Sequence, residues 1–197
     1  MRKISFVLFP MLAIALLMGI ASGTAAAQAI TPTGDNSVYF VTYFSNNVAA
    51  APDATVRFIN DGDTSGNLWA AFYVFDDSEE LTECCACVIT PDGLLAESVK
   101  TELTANPLTG KVPTRGVIKV ISSSSADPTN VAPTAGLRGW ATHIQKSGAS
   151  TYAITETTVA DSNLVAKEQA LLQNLCYYAD FLLSGLPCTC TPEDHEF

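Results

Sequence analysis

The chain has 197 residues, of which 48 % are apolar and 15 % charged, and its 10 basic and 20 acidic side chains give a formal charge of −10. That composition excludes a disordered chain, a coiled coil and a collagen-like repeat. The acidity disfavours nucleic acid and anionic membrane surfaces as partners.

Met1-Arg2-Lys3 opens the chain, an apolar run over residues 4–21 follows, and small residues lead to Ala25-Ala26-Ala27-Gln28. This is the pattern of a secretory leader, read as residues 1–27 with cleavage after Ala27, or after Ala29. Loss of Arg2 and Lys3 with the leader takes the mature chain, 28–197, from −10 to −12. No later segment reaches the roughly 18 apolar residues of a spanning helix, and the closing Pro192-Glu-Asp-His-Glu-Phe197 lacks the alternation of an outer-membrane barrel strand. The expectation is an exported single domain without a transmembrane segment, with a periplasmic, cell-surface or extracellular destination.

Residues 37–45 are rich in β-branched and aromatic side chains and predict a first strand. Residues 54–60 alternate, with Val56, Phe58 and Asn60 on one side, and 68–75 are apolar on both faces, as in a central strand covered on both sides. The polar stretch between them predicts a hairpin and places Trp69 in the core. Within that stretch, Asp61-x-Asp63-x-Ser65-Gly66 resembles the opening of a calcium loop, but the twelfth position is Phe72 rather than a bidentate Glu, and an Asp/Gly-rich turn accounts for the same residues. The acids Asp76, Asp77, Glu79, Glu80 and Glu83 follow, read as a solvated loop that could also bind Ca2+ or a basic partner.

Three cysteines stand in Glu83-Cys-Cys-Ala-Cys-Val88 and three more, Cys176, Cys188 and Cys190, near the C-terminus. In an oxidising compartment six cysteines read as disulfides. Bridges inside either close-spaced group would be strained, so the two clusters are expected to pair with each other. Zinc or Cu(I) chelation is the rival reading, weakened by the lack of Cys-x2-Cys knuckles, and a redox-active thiol is weaker still without Cys-x-x-Cys.

From residue 76 to about 113 the pattern is irregular, with turn signals at Pro91-Asp-Gly93 and Asn106-Pro-Leu-Thr-Gly110; residues 94–103 read as a short helix or extended loop. Residues 116–122 predict a strand, and 137–145 with 151–159 a hairpin about Gly148. That centring sets Trp140 opposite Glu156, with Arg138 diagonal to Glu156, and His143 at an edge or facing solvent. A helix is expected over about 164–184, capped by Asp161 or Ser162, stopped by Gly185 and Pro187, with Leu164, Leu171, Leu172, Leu175, Ala179, Leu182 and Leu183 on its apolar face. Strands first and one late helix imply a mainly β fold: an antiparallel β-sandwich of Ig-like, Greek-key type with a C-terminal helix clamped by disulfides.

Gly-x-Ser-x-Gly, His-Glu-x-x-His, a P-loop and a dinucleotide fingerprint are all missing from the sequence, and His143 and His195 are its only histidines. The runs from Gly66 to Phe75, Glu83 to Gly93, Leu103 to Gly110, Gly116 to Ile121 and Gly136 to His143 resemble a family of exported bacterial proteins that carries no assigned function. The resemblance implies a secreted single domain with a Cys-Cys-x-Cys cluster and supplies no catalytic residues. The expected role is therefore non-catalytic, binding a protein or glycan partner or serving as structure in the cell envelope or extracellular space, with no cofactor. The alternatives are a secreted polysaccharide hydrolase using paired carboxylates such as Glu156 or an acid of residues 76–83, a metal-binding exported protein, and a surface subunit that self-assembles by donating its first strand.

Overall fold

The computed structural model describes residues 38–64, 66–105, 108, 110–183 and 190, all within one compact unit. The expected leader, together with Ser65, Cys188 and His195, lies outside the described residues. The described chain forms two antiparallel sheets and one helix. One sheet contains, in spatial order, β4 (Leu81–Ile89), β3 (Leu68–Asp76), β6 (Gly116–Ser123), β1 (Tyr39–Phe44) and the two-residue β9 (Ala160–Asp161). The other contains β5 (Leu94–Ser98), β2 (Thr55–Asn60), β7 (Leu137–Lys146) and β8 (Tyr152–Thr158). Helix α1 (Ala166–Leu183) contributes Leu172 and Cys176 to the apolar cluster on the outer face of the five-stranded sheet.

Alternation sorts the side chains into two apolar layers. Phe40 and Phe44 of β1, Phe58 of β2, Phe72 and Val74 of β3, and Ile118 and Val120 of β6 meet in the larger cluster. Tyr39, Ala71, Tyr73 and Ile121, at the opposite parity, build the smaller one with α1. This is why β3 is apolar throughout: one set of its side chains faces the second sheet and the other faces the helix, as a doubly covered strand requires. Trp69, at the start of β3, is only half-buried.

Phe58 packs edge-on against Phe40 and Phe72, at centroid distances of 5.3 and 6.0 Å. Two glycines allow such close approach: a Cβ on Gly139 would lie 2.4 Å from the Phe58 ring, and one on Gly116 would lie 1.9 Å from the Phe75 carbonyl oxygen. Any other residue there would push the backbone away.

The expected hairpin of residues 54–60 with 68–75 is not formed, because β2 and β3 belong to different sheets. Sheets stack about 10 Å apart, a gap that the seven-residue connection crosses. Asn60, buried at the end of β2, organises the crossing: its amide donates to the Gly66 and Ile89 carbonyls at 2.9 and 3.1 Å, and its oxygen accepts from Gly62 N–H at 3.1 Å. β2 instead pairs with β5 and β7, and β3 with β4 and β6.

The stretch read as irregular contains β4 and β5. Asp76 and residues 77–80 turn β3 into β4, with Asp76 Oδ1 accepting from the N–H groups of Ser78 and Glu80 at 2.8 and 3.0 Å. The β7–β8 hairpin forms as expected, but its register sets Trp140 opposite Thr158 and Thr142 opposite Glu156. Helix α1 begins later than the expected cap, since Asp161 belongs to β9 and pairs with Phe40. Among the described residues its buried side chains are Leu172 and Cys176, with Leu164 and Leu175 packed beside them, while Leu171 is 47 % exposed. A helical leucine stripe identifies an apolar face but not which flank the sheet will cover.

Candidate functional site

The cysteine clusters do pair with each other: Cys84 bonds Cys176, and Cys87 bonds Cys190, across 92 and 103 residues of chain. Cys85 is disulfide-bonded as well. Adjacent positions on β4 point to opposite faces of the sheet, so Cys84 reaches the helix-side layer while Cys85 and Cys87 reach the layer between the sheets. The sulfurs of Cys85, Cys87 and Cys190 lie within 4.8 Å of one another, a spacing suited to a metal, but disulfide sulfur offers no thiolate to ligate one.

Beside the covalent tie, a polar clamp holds the first turn of α1. Glu168 accepts from Lys119 Nζ at 2.6 Å and from the Tyr39 hydroxyl at 3.1 Å. The hydrogen bond from Lys119 is the main reason that the Glu168 carboxyl is held below its ordinary range, while burial, followed by the Glu168 charge, pushes the Tyr39 phenol up. A carboxylate in the first helical turn also suits the helix dipole. The outer face of α1 exposes Tyr177, Tyr178 and Phe181, with the rings of Tyr177 and Phe181 near parallel at 6.3 Å.

The sequence-derived acids are dispersed. Asp61 is a partner of Arg138, at 3.4 Å, and its other oxygen accepts from Asp63 N–H at 3.3 Å; a carboxylate facing a guanidinium is poorly placed to receive a cation. Asp63 is exposed. Asp77 pairs with Arg115 at 2.6 Å, and that hydrogen bond lowers its pKa. Glu156 pairs with Arg57 at 2.9 Å across to β2, rather than with Arg138. Glu83 leaves the acidic run altogether: it is fully buried on β4 opposite Val74, and Glu97 is likewise buried on β5 opposite Val56. Both are engaged within the fold. The signal for Glu97 was its position in the alternation Leu95-x-Glu97-x-Val99, which makes it an inward residue.

His143 is buried, not edge-facing. Its ring stacks on Tyr43 with centroids 4.3 Å apart, and Nε2 lies 3.0 Å from Thr157 Oγ1. Burial pushes its pKa down, partly offset by the Tyr43 backbone, so the imidazole is neutral at pH 7.

A cleft of about 330 Å3 opens where the chain leaves β8 and crosses to β9. This lies at the small end of the range for small-molecule sites. Phe40, Trp140 and Val159 give it apolar walls, and Arg138, Thr158 and Asp161 give it polar ones. No family model, characterised protein or solved structure matches the chain.

Proposed function

We propose that the protein is an exported, disulfide-clamped, non-catalytic binding or structural protein of the cell envelope or extracellular space. The observation that carries this reading is the bonding of the β4 cysteines to Cys176 and Cys190, since such bonds persist in oxidising compartments and are rare in the cytosol. The secretory leader pattern supports the same compartment. The ion pairs of Asp61, Asp77 and Glu156 support a structural use of the acids that a carboxylate-pair hydrolase would need free. Among the described residues no helix is long and apolar enough to cross a membrane.

The test is fractionation of cells expressing the full chain, with the intact mass measured before and after alkylation without reductant. The expected product is an exported chain that begins after Ala27 and gains no alkyl groups. A cytoplasmic, unprocessed chain, or free thiols with a stoichiometric metal, overturns the reading. Turnover on a glycan panel that Glu156→Gln abolishes would install the hydrolase instead.

One observation favours self-assembly as a second reading. β1 pairs with β6 and β9 of its own sheet, so donation of that strand is not the route we favour. β8 closes one side of the four-stranded sheet, and six of its seven residues are exposed. It has no Lys or Pro to block pairing, and Arg57 neutralises its one charge, Glu156. A second copy laid antiparallel about Thr155 would set Glu156 opposite Ile154 and avoid like-charge contact. This assembly predicts a dimer in native mass spectrometry that Ile154→Lys and Thr155→Pro each dissociate; a wild-type monomer at all concentrations rejects it.

A further inference from the structure

We propose that the cleft between β7 and β9 binds a small zwitterion with an apolar body, of the chemical class of a free α-amino acid with a large side chain. The inference rests on the binding-protein reading and names its ligand class.

The cleft carries one group of each charge. Arg138 is anchored through Nε to Asp61 at 3.4 Å, longer than the 2.7–2.9 Å of a tight charge-assisted hydrogen bond. Among the described residues Arg138 has no other ion pair and no side-chain hydrogen bond. Its side chain is 49 % exposed and lines the cleft, so guanidinium donors beyond the Asp61 pair are available to a carboxylate. Asp161 lines the same cleft; the residue is exposed, and its side chain has no ion pair or hydrogen bond among the described residues. These opposite charges do not satisfy each other: the ion pair of Arg138 runs to Asp61. They stand on strands of different sheets, Arg138 on β7 and Asp161 on β9.

Apolar walls lie next to both poles. Phe40 is fully buried behind the cleft, and Trp140 is half-exposed within it. A ligand meeting these surfaces carries a carboxylate for Arg138, an ammonium for Asp161 and an apolar body for the Trp140 ring. Net charge narrows the choice further. A chain at −10 repels a plain carboxylate at long range, and Arg138 opposes a plain cation, whereas a zwitterion carries no net charge and meets neither penalty.

The test uses the folded, oxidised full-length mature protein with three probes: phenylalanine, its amide, which lacks the carboxylate, and N-acetylphenylalanine, which lacks the ammonium. The readout is the indole N–H resonance of Trp140, with Trp69, the only other tryptophan, as an internal control. Phenylalanine is expected to shift the Trp140 signal alone and to bind at least about tenfold more tightly than either blocked probe, as fits the loss of a charge-assisted contact. Arg138→Met should remove the preference for phenylalanine over its amide, and Asp161→Asn the preference over N-acetylphenylalanine. Should Arg138→Met disturb the turn that Asp61 holds, Asp161→Asn still reads the second pole. No Trp140 shift up to about 10 mM, well above the millimolar range of weak binding, or equal binding of all three probes, overturns the proposal. Either result leaves export and the disulfides untouched, so this failure is distinguishable from failure of the broader reading.

Discussion

Between the sheets, Phe40, Phe44, Phe58 and Phe72 interleave with aliphatic side chains from both sides. On the outer face of the five-stranded sheet, α1 contributes, among the described residues, only Leu172 and Cys176 as fully buried side chains. The sandwich is held by apolar volume, the dominant favourable term in folding. The helix buries little, so a disulfide at Cys176 and the Glu168 clamp to Lys119 and Tyr39 supplement its packing. The same polypeptide thus uses two means of attachment, and the covalent one appears where the apolar contact is thin.

The strongest way to break that contrast is Phe58→Ala. Its side chain is fully buried between two other rings, and truncation should cost about 3–5 kcal/mol, read as a lower midpoint in guanidinium with the disulfides intact. A cost below 1 kcal/mol would mean that the inter-sheet layer is not what holds the sandwich. Replacing Cys84 and Cys176 together by Ala comes next, at about 2–4 kcal/mol on the loop-entropy model, towards the lower end because the 103-residue loop closed by Cys87 and Cys190 covers much of the same chain. Hydrogen exchange should then speed up in α1 before it does in β3; uniform acceleration would contradict separate attachment.

Glu168→Gln sharpens the comparison by removing only the charged part of the clamp, for about 0.5–1 kcal/mol. Because the folded-state pKa of Glu168 is lowered, its contribution is present above the unfolded value and is lost as pH falls through the folded one. Acid titration of the wild type should therefore loosen α1 below about pH 4.5, the ordinary Glu value, and the variant should lack that step. The smallest effect is expected for Glu156→Gln. Its partner Arg57 lies on the same open sheet face, and a pair half open to water contributes within about 0.5 kcal/mol; a larger loss of stability would give that face a structural weight like that of the helix clamp.

His143 and Glu97 show where local reading ends. The alternation of β5 marks Glu97 as inward, yet a carboxylate on an inner position is interpretable only once the opposing strand is known. His143 has the parity of Leu137 and Ala141, also inward, but the ring that receives it, Tyr43, stands a hundred residues away on the other sheet. The acidic run departs from a solvated loop only at its end, for a related reason: Asp77, Glu79 and Glu80 are exposed in the β3–β4 turn, with Asp77 on Arg115, whereas Glu83 already belongs to β4 and turns inside.

Composition, alternation and cysteine spacing determined by themselves that the chain folds as a mainly β sandwich with one late helix, and that the two cysteine clusters face each other. These are local properties: period-two burial, helical period and the minimum span of a disulfide. The tertiary structure alone decided which strands share a sheet, which flank of the helix is covered, and that Arg138, Trp140 and Asp161 line one cleft. Those relations depend on contacts between distant segments, and a seven-residue loop that crosses between sheets has the same composition as one that closes a hairpin.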